Sequence, residues 1–123
     1  MRLINFAAAT EAAVGVILVI DPSLVGRLLL GADLSSVAQA VGRIAGFALL
    51  ALGLACWPGP EPPSRRSAAA RGLLAYNVLA AIFFLYLGIG GELVGLLLWP
   101  AVALHAALAI LLARLFVLRI AID

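Results

Sequence analysis

Residues 3–20 read LINFAAATEAAVGVILVI, an apolar run broken only at its middle by Thr10 and Glu11 and stopped by Asp21-Pro22. A helix rises about 1.5 Å per residue, so a span of hydrocarbon takes about 20 apolar residues. The run therefore predicts a membrane helix ending where the residue before proline leaves the α conformation. Arg2 followed by Ala7, Ala8 and Ala9 has the outline of a secretory leader. Glu11 interrupts the apolar region, however, and the pattern then resumes to Ile20, so the segment is expected to be retained.

Outward from this helix the punctuation is regular. In 22–30, Leu24, Val25, Leu28 and Leu29 fall at helical spacing with Ser23 and Arg27 elsewhere, which predicts a short interfacial amphipathic turn. Ser36 with Gln39 forms a candidate capping box for a second helix over 36–57. Pro58, Pro60, Pro62 and Pro63 predict a non-helical loop. Ser67 is placed to cap a third helix over 67–89, and Gly90-Gly91 then turns the chain into a fourth over 93–118, which Pro100 is expected to kink. The expected fold is all-α: one domain over 1–123, a four-helix bundle crossing the membrane.

Composition points the same way. The chain is 66% hydrophobic and 11% charged over 123 residues, more apolar surface than a soluble fold of this size can bury. Its cations are all arginine, scattered along the chain and better explained by topology than by nucleic acid. Arg2, Arg65, Arg66, Arg71, Arg114 and Arg119 fall on one side of a four-crossing chain, with Arg27, Asp21, Asp33 and Glu92 on the other. The positive-inside rule then places both termini in the cytoplasm. Trp57 and Trp99 stand where interfacial anchors belong. The arginine-only usage, with abundant Ala, Leu and Gly, suggests a GC-rich bacterial coding sequence, and with four spans the expected location is a bacterial inner membrane. Cys56, the one cysteine, reads as a small packing residue and excludes a cysteine-based zinc site. No second histidine is present for haem, no metal centre is expected, and the residues specify no cofactor.

Each span carries one strongly polar residue: Glu11, Arg43, Asn77 and His105. Such groups are costly in hydrocarbon unless they face the bundle interior and find partners. Measured from the outer helix ends, Glu11 lies about 13 Å deep, Arg43 about 10 Å, and Asn77 and His105 about 18 Å each. Glu11 shares a stripe with Ala8 and Gly15, His105 with Ala101 and Ala109, and Asn77 with Ala80, Ala81 and Phe84. Gln39, Gly42, Arg43 and Gly46 form a stripe on the second helix whose small-xxx-small spacing favours close helix contact. Arg43 is thus expected to pair with Glu11, with Asn77 and His105 completing the network and Gln39 and Tyr76 bordering a pocket.

Length, four crossings, Pro22 after the first helix and the Arg43-x-x-Gly46 motif resemble the small DoxX-like bacterial membrane proteins. The resemblance covers most of the chain and implies the four-helix architecture. Some members of that group are associated with quinone-linked oxidation. No catalytic signature of the family is matched residue by residue.

Three functions fit these features. The first is a pocket of Glu11, Arg43, Asn77, His105, Gln39 and Tyr76 binding a small amphipathic molecule such as a quinone or lipid. There Arg43 would hold the head, and Glu11 or His105 would carry protons if chemistry occurs. The second is a non-catalytic accessory subunit, in a homo-oligomer or larger membrane complex, whose polar network only locks the bundle. The third is a small transporter, whose expected sign, an inverted repeat, is not seen between the halves. The partners in each case are membrane lipids and no nucleic acid.

Overall fold

The computed structural model describes the backbone of residues 2–57 and 63–120, with side chains for 2–57 and 68–117. Pro58, Pro60 and Pro62 of the expected loop, and the side chains of Arg65, Arg66, Ser67 and Arg119, lie outside the described residues. Helix α1 is Arg2–Ile20, α2 is Pro22–Val25, α3 is Ser36–Ala55, α4 is Pro63–Gly90 and α5 is Leu98–Ile120. A π-helical turn, Gly26–Leu30, continues α2. Four of these helices have the length and apolarity to cross a membrane, and side chains such as Ile44 (66% exposed), Leu79 (67%) and Ile110 (60%) cover their outer faces. An apolar exterior of this kind suggests a multi-pass membrane protein.

Antiparallel α1 and α3 meet backbone to backbone. A Cβ on Gly46 would lie 2.8 Å from the Gly15 carbonyl oxygen, and one on Gly53 would lie 2.8 Å from the Ala8 carbonyl. The small-xxx-small spacing therefore works as expected, with α1 as the partner. Pro22 is fully buried, and a Cβ on Gly42 would lie 2.9 Å from its ring. Helices α4 and α5 form the second antiparallel pair. The two pairs come together at the end that holds the chain termini, through Ile4, Ala7, Ala8, Cys56, Leu73 and Leu112. Cys56 is a core residue there.

At the opposite end the pairs separate, and two connections fill the gap. Asp21 caps α2 by accepting from the Leu24 amide at 3.0 Å, and Gly31 stops the π-helical turn in the left-handed region at φ 70°. The connection 91–97 then docks on this turn, with the Gly95 amide donating to the Leu29 carbonyl at 3.0 Å and the Leu97 amide to Leu28 at 2.7 Å. Gly95 has no room for a side chain against the Leu28 carbonyl.

Several expected boundaries move. The last helix begins at Leu98 rather than 93, because the Gly95 and Leu97 amides donate to the π-helical turn instead of along their own segment. Pro100 consequently sits in the first turn of α5, where no intrahelical donor is needed, and kinks nothing. Pro63 starts α4 instead of preceding it, for the same reason. Ser35, not Ser36, caps α3, accepting from the Ala38 amide at 3.2 Å. The segment after α1 is helical as expected, and its apolar side turns inward over the bundle.

Candidate functional site

Where the helix pairs separate they border a partly open cavity of about 350 Å³. Its roof is the α2 and π-turn segment, through Leu24, Val25, Leu28 and Leu29. The walls are apolar: Val14, Ile17 and Leu18 from α1, Leu49 from α3, Phe84 from α4, and Leu97, Pro100, Ala101 and Leu104 around the start of α5. The polar lining is Thr10, Glu11, Tyr76 and His105, and these residues stand deepest along their helices. From Leu97 to His105 the wall descends about 12 Å. The cavity is therefore apolar above and polar at its floor.

The floor is built by hydrogen bonds whose directions are fixed. Asn77, fully buried, donates through Nδ2 to the carbonyl of Leu73 one turn back, at 2.9 Å. Its Oδ1 must then be the atom facing His105 Nδ1, also at 2.9 Å. A carbonyl oxygen only accepts, so Nδ1 carries the proton and the neutral ring presents Nε2 as an acceptor. Tyr76 meets the His105 ring edge to face, with centroids 5.7 Å apart, and Phe84 packs on it at 5.4 Å. Glu11 is 1% exposed, and its Oε1 stands 3.8 Å from His105 Nδ1, outside hydrogen-bonding distance. That oxygen has no hydrogen-bond partner among the described residues.

Of the residues singled out from the sequence, Glu11, Asn77 and His105 come together, although His105 lies seven and not twelve residues into its helix. Glu11, His105 and Tyr76 line the cavity, and Asn77 supports it from behind. Arg43 does not join them. It is exposed on the outer side of α3, and the expected pairing with Glu11 is not found. Its place on the helix explains this. Leu49 faces the cavity, and Arg43 lies six residues earlier, about 120° around the axis on the other flank of the glycine row. Gln39 is also outside the cavity, its amide donating to the Leu34 carbonyl at 3.1 Å to tie down the chain before α3.

Sequence reasoning did not foresee the roof. The spacing of Leu24, Val25, Leu28 and Leu29 revealed an apolar face but not what it covers. Thr10, beside Glu11, is a further floor residue, and its hydroxyl donates to the Phe6 carbonyl at 3.0 Å. No group of three His, Cys, Asp or Glu side chains that could hold a metal ion occurs among the described residues. Comparison with known protein families, curated proteins and solved structures finds no match to this chain.

Proposed function

We propose that this chain is a binding protein for a small amphipathic molecule, a lipid or quinone-like compound, held inside a multi-pass protein of a bacterial inner membrane. The observation that carries this reading is the cavity of about 350 Å³, apolar along its walls and polar at its floor. Small-molecule sites occupy roughly 300–1,000 Å³ and pair apolar walls with a few fixed polar groups. Glu11 Oε1, buried and without a hydrogen-bond partner among the described residues, supports this reading as an acceptor left for a polar head. The DoxX-like resemblance agrees with this reading in architecture. Its Arg43-x-x-Gly46 motif, however, contributes helix contact through Gly46 rather than a ligand contact through Arg43.

The orientation proposed from the arginines puts both termini in the cytoplasm and the cavity in the outer half of the membrane. Exposed Arg2, Arg71 and Arg114 gather at the termini end of the bundle, and Arg27 with Asp33 occupies the other.

Native mass spectrometry of gently extracted protein tests the binding reading. Wild type is expected to retain a small molecule that Ala101→Phe, which fills the cavity, loses. If wild type retains none and both proteins behave alike, the accessory-subunit reading replaces it.

A further inference from the structure

Resting on that reading, we infer that the head of the bound molecule is a hydrogen-bond donor, a hydroxyl or an amine, and not an acid or a bare carbonyl. The few polar atoms at the floor are mostly acceptors. Glu11 Oε1 is buried and has no partner among the described residues. His105 spends its Nδ1 proton on Asn77, which leaves Nε2 an acceptor with no partner among the described residues. The hydroxyl proton of Thr10 is committed to Phe6, so that side chain offers the cavity lone pairs only. With Glu11 ionised, one side chain stands against these three as able to donate, Tyr76. The guanidinium that would attract an anion lies on the outer side of α3, away from this floor.

An anionic head would face acceptors without a compensating cation, and a carbonyl head would leave Glu11 Oε1 unpaired. A donor head gives that oxygen the partner it lacks. The volume sets how much of the molecule the cavity itself holds. A cavity of roughly 150 Å³ holds benzene, so about 350 Å³ accommodates a ring with a short alkyl chain.

The test uses four probes that share one body: 4-pentylphenol, 4-pentylbenzylamine, 4-pentylanisole and 4-pentylbenzoate. Each is titrated calorimetrically into the protein in lipid nanodiscs, with empty nanodiscs subtracted. The phenol and the amine are expected to bind about tenfold or more tighter than the anisole, with the benzoate weakest. Tighter binding of the phenol assigns a neutral hydroxyl head, and tighter binding of the amine assigns a cationic one. Anisole or benzoate binding as well as both donors overturns the inference.

Glu11→Met, which removes both carboxylate oxygens, is expected to weaken the donor probes about fivefold or more while leaving the anisole unchanged. Donor binding that does not change in this variant also overturns it. Should that variant fail to fold, the wild-type ranking still decides. Ala101→Phe separates the two readings. If it abolishes binding of all four probes and wild type shows no ranking by head, the cavity reading stands and the head inference falls. If no probe binds wild type, or Ala101→Phe leaves binding intact, both fall.

Discussion

Asn77 Oδ1 lies 2.9 Å from His105 Nδ1 and joins α4 to α5 where the bundle begins to open. The bond fixes the imidazole tautomer, since Asn77 Nδ2 is held by Leu73 one turn back. The bond thereby also sets which ring nitrogen faces away from Asn77.

The stability consequence is a coupling energy. Asn77→Ala and His105→Ala each leave a polar group without its partner, and the double variant removes both. Interhelical hydrogen bonds in membranes couple by about 0.5–2 kcal/mol, so a double-mutant cycle read by unfolding in mixed micelles is expected to fall in that range. Additive single effects would mean that the two side chains do not interact.

For Glu11 and Arg43 the expectation is the opposite. Arg43 is exposed and lies on the far flank of α3 from the cavity. Arg43→Met combined with Glu11→Gln should show no coupling in the same cycle. A strong positive coupling would place the guanidinium at the floor and overturn the geometry described above.

These two pairs show what the sequence could reveal. Four spans were legible because hydrocarbon demands long apolar runs, and Glu11, Asn77 and His105 were legible as a cluster because lipid excludes them singly. Arg43 misled for a physical reason. Side chains on a helix point toward its N-terminus, and α3 starts at the loop end, so a long arginine near that end can reach the membrane interface from the outer face. A stripe of glycines marks a contact but does not say which flank of it is enclosed. The start of α5 was hidden differently. Residues 93–97 are apolar enough to read as helix, and only their bonds to the π-helical turn, a tertiary effect, draw them out of it. Gly91, at φ 75°, and Gly95 were the local signs.

The α1–α3 contact should tolerate no added atoms. Gly46→Leu sets a side chain against the Gly15 carbonyl, where even a Cβ would lie 2.8 Å away. Overpacking of this kind costs about 1–3 kcal/mol or more. Gly72→Ala is the control, since its Cβ would meet Leu52 Cδ1 at an ordinary 3.7 Å. Thermal unfolding in detergent should separate the two variants clearly. Equal stability would show that the helices do not approach at Gly46.

Orientation can be checked independently of the cavity. With both termini in the cytoplasm, a C-terminal phosphatase fusion should be inactive and a C-terminal fluorescent-protein fusion bright. An active phosphatase would invert the topology and place the cavity in the inner half of the membrane.

The last prediction concerns the roof. The π-helical turn is held over the cavity by two backbone bonds, Gly95 to Leu29 and Leu97 to Leu28. Both require the chain at Gly95 to run against the Leu28 carbonyl, where a side chain has no space. Gly95→Val should therefore break the docking while leaving the glycine contact of α1 with α3 intact, since that contact lies on the other side of α1. Hydrogen exchange should rise in 22–31 and 91–97, where backbone bonds would open, and stay unchanged through the middle of α1 and α3. Ligand retention should fall in the same variant, because the roof supplies Leu24, Val25, Leu28 and Leu29 to the cavity wall. Faster exchange across every helix would instead mean that the roof is part of what holds the bundle together.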